Sequence, residues 1–394
     1  MNKLTNPFTP GAGFLPPELA GRSEIVEQGA VLAARARLLR AERGILLIGS
    51  RGVGKTALLK YLAEAARKDG NLPVVVEIQN NGQGLEELAL KLREVLNSLD
   101  FASKVKTHVQ EAFSVFANFV RRFSIRIGSL GVEFEATSGL GNSGNLECDL
   151  SEVLLATARA AKEANTAIGL YIDELQNLPL DSMSGIVVAL HHAAQELLPL
   201  YLVGSGLPTL RALVAKSKTY AERMFTYEEI GALNPEDAAD AIRKPLWAME
   251  VDIDRDALDA IFDVTGGYPF FLQECGYQVW LAAETSPISG ETVAKALPGV
   301  QARLDRNFFD VRLDRISDGE RLFLRTMADC STGDGTCDFT CVAERLGKTT
   351  NALSMQRRAL IRKGIIYAPK IGKLAYTVPR FGDYLKRTLP LARA

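Results

Sequence analysis

Histidine and cysteine are scarce in this chain: three and five residues among 394. The cysteines are Cys148, Cys275, Cys330, Cys337 and Cys341. An odd count over this length argues against a disulfide framework. The last three cluster, but no histidine lies near them and no Cys-x2-Cys occurs, so small buried thiols are expected rather than a zinc site. His108, His191 and His192 form no ligand pattern. An excess of charge is also missing. With 46 Lys+Arg against 47 Asp+Glu the formal net charge is −1, so any nucleic-acid surface must be local. Long apolar runs are absent too. No uncharged stretch reaches the roughly 18 residues that span a bilayer. The longest are about 14 residues, for example 197–210, which holds two glycines and two prolines. The opening MNKLTNPFTPGAGFLPPELAGR has no apolar core of a secretory signal. A cytoplasmic protein with no membrane partner is the expectation. A 47% hydrophobic and 24% charged composition excludes global disorder, and the length suggests two or three domains.

Along the chain, residues 1–22 are rich in Pro and Gly and read as an extended arm leading into the first domain. A helix is expected over 23–41. Short apolar runs then mark strands of a buried parallel sheet: Ile45-Leu46-Leu47-Ile48, Val74-Val75-Val76-Glu77-Ile78, Ala167-Ile168-Gly169-Leu170-Tyr171-Ile172, Leu200-Tyr201-Leu202-Val203 and a weaker run over 225–230. Strands alternating with helices predict a doubly wound α/β domain over 1–232. Residues 101–147 interrupt the alternation with an amphipathic helix, two alternating runs around Gly128-Ser129 that resemble a β-hairpin, and a Gly/Ser-rich stretch at 137–145. They are expected to form a surface insertion. The pattern is all helical over 233–312, with Asn234-Pro235-Glu236 starting the first helix. Over 313–394, helices near 318–328, 338–346 and 349–363 precede a strand pair, which is a winged-helix pattern. In that helical pattern Leu353, Met355 and Leu360 read as core positions.

The strongest chemical signal is Gly49-Ser50-Arg51-Gly52-Val53-Gly54-Lys55-Thr56, which matches Gly-x4-Gly-Lys-Ser/Thr between an apolar strand and a helix. Backbone N–H groups of such a loop turn inward around phosphates, helped by the helix N-terminus, where Ala57 also lies. Lys55 would reach the β and γ phosphates of ATP, and the Thr56 hydroxyl would bind Mg²⁺. The second signal is Leu170-Tyr171-Ile172-Asp173-Glu174, an apolar strand ending in two acids where ligands sit in open α/β sheets. Asp173 would hold Mg²⁺ and Glu174 would deprotonate the attacking water; the plainer reading is a pair of acids that cap a helix. Ser205, after a strand, is either a contact to that water or the γ phosphate, or a turn serine. Arg223 is either a guanidinium offered to a neighbouring subunit's γ phosphate or a solvated side chain paired with an acid such as Glu222.

With these residues the chain resembles the AAA+ P-loop ATPases, especially the branch near origin-recognition-type initiators and the STAND signalling ATPases. The resemblance runs from about residue 19 to the C-terminus. It implies a P-loop AAA+ doubly wound parallel sheet, a helical lid and a C-terminal winged-helix domain. The phosphate loop and Asp173-Glu174 match the Walker A and Walker B motifs. Ser205 falls at the sensor 1 position and Arg223 where relatives carry an arginine finger. Pro16-Pro17-Glu18-Leu19-Ala20-Gly21-Arg22 resembles the segment that passes beside the adenine. The chain departs from the pattern in the lid, which reads Thr265-Gly266-Gly267-Tyr268-Pro269-Phe270 and has no sensor 2 arginine. Gly267-Tyr268-Pro269 resembles the Gly-x-Pro motif of STAND proteins, whose Pro269 counterpart packs near the nucleotide. That departure implies slow turnover.

Residues 318–394 hold fourteen Lys and Arg against seven Asp and Glu. Arg357, Arg358, Arg362 and Lys363 lie on or near the third helix, and Lys370 and Lys373 lie on the wing. This placement suits phosphate contacts to double-stranded DNA through 349–377, while a protein-binding winged helix with a solvated basic face is the other reading. The expected activity is Mg-ATPase switching with a homo-oligomer in the ATP state. The alternative is a nucleotide-binding regulator with negligible turnover and a protein partner. Small-molecule phosphoryl transfer finds no second substrate pocket in the sequence.

Overall fold

The structure is a computed structural model, and it describes residues 1–11, 13–79, 83–102, 107–125, 140–333 and 335–389. The chain forms two compact units. One comprises Arg22–Gly49 and Lys55–Ile230; the other comprises Met1–Gly21, Ser50–Gly54 and Gly231–Ala394.

The first unit runs α1 (Ser23–Arg37), β1 (Gly44–Ile48), α2 (Lys55–Lys68), β2 (Leu72–Glu77), α3 (Gly84–Ala102), α4 (Thr107–Arg122), α5 (Leu146–Glu163), β3 (Ile168–Asp173), α6 (Leu180–Gln195), β4 (Leu200–Gly206), α7 (Leu210–Ser217) and β5 (Phe225–Glu229). All five strands are parallel, in the order β2-β3-β4-β1-β5. β1, β3 and β4 are buried at every position, which is why they read as unbroken apolar runs rather than alternating ones. β4 lies between β1 and β3, so the carboxyl ends of these three strands meet at one edge of the sheet.

Two expectations change here. Residues 101–147 are more than a surface insertion. The α4 spacing Val109, Ala112, Phe113, Phe116, Phe119 puts apolar side chains on one stripe, and all five are buried in the same core as β3 and α5. Each large one adds about 1.5–3 kcal/mol by leaving water. Of the expected hairpin at 124–135, residues 126–135 lie outside the described residues. The N-terminal arm belongs with the second unit instead of leading into the α/β domain. The Asn2 carbonyl accepts from Trp280 Nε1 at 2.8 Å, Gln273 Oε1 accepts from the Thr9 N–H at 3.1 Å, and Phe8 is buried against Gly276.

The second unit adds α8 (Pro235–Trp247), α9 (Arg255–Thr265), α10 (Pro269–Ala282), α11 (Gly290–Leu304), a π-helical turn (Asp305–Asp310), α12 (Val311–Leu313), α13 (Asp318–Cys330), β6 (Thr336–Asp338), α14 (Phe339–Arg345), α15 (Thr350–Arg362), β7 (Ile366–Tyr367), β8 (Lys373–Tyr376) and α16 (Phe381–Thr388). The asparagine and proline expected to start this helix do so: Asn234 caps α8 with its side chain and Pro235 takes the first position. No separate compact unit begins at 313. Phe308 stacks on Phe270 at 4.6 Å and Phe309 on Tyr384 at 4.9 Å, so one aromatic cluster ties α10 to α16. The strand pair expected at the C-terminus has a third member, giving an antiparallel sheet β6-β8-β7.

Two further corrections concern single residues. Cys330 and Cys341 are joined by a disulfide, because the end of α13 and the first turn of α14 bring their Cα atoms to 6.1 Å, within bridging range. Cys275 and Cys337 are buried thiols, and Cys148 is exposed. Met355, expected in the core, is 80% exposed, because Leu353 and Leu360 alone hold the inner face of α15. Among the described residues no helix is long and apolar enough to cross a membrane.

Candidate nucleotide site

In the sheet unit, the carboxyl edge collects five polar groups. Lys55 opens α2 and is 5% exposed; its Nζ donates to the Gly49 carbonyl at 2.9 Å. The next residue, Thr56, donates from its hydroxyl to Asp173 Oδ2 at 2.5 Å. Asp173 ends β3 and is 3% exposed. Its other oxygen accepts from the Ser205 hydroxyl and from the Glu174 N–H, the latter at 2.9 Å. A buried carboxylate needs such donors, since an unpaired one is costly in a low-dielectric interior. Glu174 follows with φ +50°, in the left-handed region that a non-glycine residue adopts at a cost of about 1–3 kcal/mol. Its Oε2 accepts from Gln176 Nε2 at 2.5 Å, and Gln176 Oε1 accepts from the Leu207 N–H at 3.0 Å. Thr56, Asp173, Glu174 and Ser205 are therefore one hydrogen-bonded group.

The structure differs from expectation at Ser205. It lies inside β4, fully buried, with its hydroxyl committed to Asp173; parallel register with Leu47 of β1 carries it to the shared edge. Arg223 sits in the 3-10 turn Ala221–Met224 before β5. It is exposed, and among the described residues its side chain pairs with no carboxylate, Glu222 included. It is not part of the Asp173 group. Ala57 is buried on α2.

Sequence reasoning missed Glu77. It ends β2 in register with Asp173, and its carboxyl is raised above the usual range, first by burial and then by the charges of Asp173 and Glu174. The signal was present as the single acid in Val74-Val75-Val76-Glu77-Ile78.

Residues Ser50–Gly54 belong to the second unit. Within it the Arg51 N–H donates to the Thr377 carbonyl at 2.9 Å. Gly52 and Gly54 have φ of +81° and +94°, and Val53 is buried. A Cβ on Gly52 would lie 2.7 Å from the Tyr268 hydroxyl. Tyr268 caps α10, and Pro269, half-buried, takes that helix's first position. Glu18, in the expected adenine-side segment, pairs with Lys244 at 3.0 Å.

A donor set of one carboxylate and one hydroxyl at a phosphate loop fits Mg²⁺, a hard cation that takes few protein oxygens and completes its shell with phosphates and water.

On the C-terminal basic face, several of the expected phosphate contacts are occupied within the protein. Lys363 pairs with Glu320 at 2.7 Å, Lys373 with Asp338 at 3.0 Å, and Arg357 lies 5.1 Å over the Phe339 ring. Arg358, Arg362 and Lys370 are exposed.

A parallel sheet of this order, with a phosphate loop after β1 and an acidic pair ending β3, is the fold of the P-loop AAA+ ATPases. Residues 18–203 match the family described as AAA ATPase domain. Residues 306–385 match a family described as a domain of unknown function (DUF8462). Among solved structures, the Walker-type ATPase PABY2304 of Pyrococcus abyssi is 15% identical, over 94% of this chain and 97% of that one, with a TM-score of 0.55. Cdc6p of Pyrobaculum aerophilum is 17% identical over 98% and 97% of the two chains, with a TM-score of 0.47. The Orc1 protein of Aeropyrum pernix, in complex with DNA, is 16% identical over 95% and 94%, with a TM-score of 0.47. No curated protein matches the chain.

Proposed function

We propose that this protein is a Mg-ATP-dependent molecular switch that hydrolyses ATP slowly and couples nucleotide state to a partner bound by its C-terminal region. The observation that carries this reading is the 2.5 Å hydrogen bond from Thr56 to Asp173, which joins the phosphate loop to the acidic strand end. In this reading the loop Gly49 to Thr56 and Ala57 cradle the phosphates. Lys55 neutralises β and γ oxygens, and Thr56 and Asp173 would hold Mg²⁺. Glu174 takes the proton from the attacking water. Ser205 acts through Asp173, which it orients, rather than by touching water. When bound, Mg²⁺ would supply positive charge to the phosphate oxygens. Arg223, exposed and unpaired, would serve a neighbouring copy in trans. The lid lacks an arginine at its Gly266-Gly267-Tyr268-Pro269 turn, which favours slow turnover.

We further propose that 313–394 is a winged helix and that its partner is double-stranded DNA, contacted by Arg358, Arg362 and Lys370. The engaged Lys363, Lys373 and Arg357 favour a second reading, a protein partner and a signalling ATPase of STAND type. ATP turnover measured against protein concentration, with and without duplex DNA, separates the readings. Stimulation by DNA supports the first, and indifference to DNA supports the second. No phosphate release under any condition overturns the ATPase and leaves a nucleotide-binding regulator. Specific activity that rises with concentration in the wild type but stays flat in Arg223→Ala supports the trans role. Arg358→Ala combined with Lys370→Ala should lower duplex affinity and reduce the salt slope by about 2, whereas Lys373→Ala, already paired, should change little. Equal effects of all three would refute this choice of contacts.

A further inference from the structure

The sheet unit carries a second concavity, at the edge of the sheet opposite the phosphate loop. A cavity of about 310 Å³ lies where β1 and β4 begin, between the last turns of α1 and α6. Leu32 and Ala36 of α1, Leu190 and Ala193 of α6, and Leu200 and Tyr201 of β4 line it, and all six are buried. The one polar atom on those side chains, the Tyr201 hydroxyl, is bonded to the Tyr171 hydroxyl at 3.1 Å. The interior therefore asks for no water and suits an apolar body. At roughly 30 Å³ per non-hydrogen atom, the share of a water in the liquid, it holds about ten. Ser205, at the phosphate edge, lies further along the same strand β4, roughly 16 Å from Leu200 at about 3.3 Å per residue.

Two features of the rim point to a ligand. The first is backbone strain. Leu39 and Leu197 line the same cavity and have φ of +55° and +51°. They are the left-handed residues that follow α1 and α6. At the matching place α2, α14 and α15 use Gly70, Gly347 and Gly364, and α5 uses Asn165, the residue types that take this conformation at least cost. Leucine is held there against its backbone preference, and Leu197 stays 50% exposed. What the two leucines add is an apolar lip to the cavity. The second feature is charge. Arg40 and Arg43 stand at the mouth, both exposed, and among the described residues neither forms an ion pair. The acid in the lining, Glu42, is committed to Arg35 at 2.8 Å and to the Arg43 N–H at 3.1 Å. His191, also at the mouth, meets Gln195 at 3.2 Å and packs on Tyr220 at 4.4 Å.

We propose that this cavity binds a small amphipathic carboxylate, with an apolar chain of about ten carbons between α1 and α6 and its carboxyl group on Arg40 and Arg43. The assignment goes beyond the nucleotide reading and does not depend on it. A guanidinium matches a carboxylate with two parallel N–H donors, among the stronger polar contacts, and the exposed arginines keep that head in reach of water. The apolar interior supplies the rest of the affinity by area removed from water. Polar recognition at the mouth and none inside is the layout expected for a ligand with one charged end. The C-terminal ends of α1 and α6 also favour nearby cations, a role for the arginines that needs no ligand, and the two roles respond differently to substitution.

Titration calorimetry of the full chain with decanoate, and with 1-decanol as the uncharged chain of the same length, reads the two parts of the site separately. The wild type should bind decanoate about tenfold or more tighter than decanol. Arg40→Gln combined with Arg43→Gln should weaken decanoate by about tenfold, leaving decanol affinity and the ligand-free melting temperature unchanged. Ala194→Trp, at an exposed position in the lining, fills the cavity and should abolish saturable binding of both probes at unchanged melting temperature. A wild type with no saturable decanoate binding overturns the proposal. So does a double arginine variant that melts lower yet binds decanoate as the wild type does, since that is the behaviour of residues that only serve helix ends. Decanoate affinity unchanged in Ala194→Trp places the ligand elsewhere and overturns the site. Displacement of decanoate by MgATP does the same, because it places the probe at the phosphate loop.

Discussion

Glu174→Gln lowers ATP turnover by about 10²–10⁴-fold and leaves MgATP affinity within about threefold. The expectation follows from how Glu174 is held. Its backbone sits in the left-handed region with φ +50° at the end of β3, a conformation that costs energy and therefore persists only when its surroundings enforce it. The Glu174 N–H donates to Asp173, so the strained turn also completes the hydrogen bonding of the buried carboxylate. Its side chain is braced by Gln176, which is in turn fixed by the Leu207 N–H. Glutamine has the same shape and changes only the basicity. Thr56, Ser205 and the Glu174 N–H still satisfy Asp173, so the phosphate loop and the Thr56–Asp173 pair keep their positions. Phosphate release in single and multiple turnover, set beside equilibrium binding of MgATP, reads the two effects separately. Turnover unchanged by the substitution removes Glu174 as the base. Loss of binding together with turnover means that the side chain supports the site instead of acting in the reaction.

Much of this site was readable in the sequence because its parts are local. A phosphate loop is eight consecutive residues, and the acids that end β3 follow a run that is buried on both faces. Parallel strands such as Ile45-Leu46-Leu47-Ile48 leave an unbroken apolar signal, whereas their neighbours in the sheet leave none. Pairing of β2 with β3 is what places Glu77 beside Asp173, and pairing of β4 with β1 is what turns Ser205 toward the same carboxylate. The same limit applies to α4. Its stripe of Val109, Phe113 and Phe116 says that one face is apolar, and only the tertiary fold says that this face meets the central core. At the C-terminus, charge was legible but pairing was not. Lys363 reads as a solvated cation until Glu320, forty-three residues earlier in the chain, is seen against it.

Gly267→Ala destabilises the second unit by about 3 kcal/mol or more, measured by urea unfolding, whereas Gly266→Ala costs only about 1 kcal/mol. Both glycines lie in the left-handed region, with φ +69° and +58°, between the end of α9 and the start of α10. The backbone cost is therefore similar, and the difference comes from space. Around Gly266 an added Cβ meets nothing within 4 Å; on Gly267 it would stand 2.0 Å from the Leu233 carbonyl oxygen. That oxygen belongs to backbone and cannot rotate aside. The peptide is also fixed from the other direction, because the Leu233 N–H donates to the Gly267 carbonyl at 2.8 Å. Relief of the clash must then break this hydrogen bond or shift the start of α10, which carries Tyr268 and Pro269. A shift of that kind moves the Tyr268 hydroxyl away from Gly52. Equal unfolding free energies for the two variants would mean that the turn relaxes freely and that Gly267 does not hold Tyr268 in place.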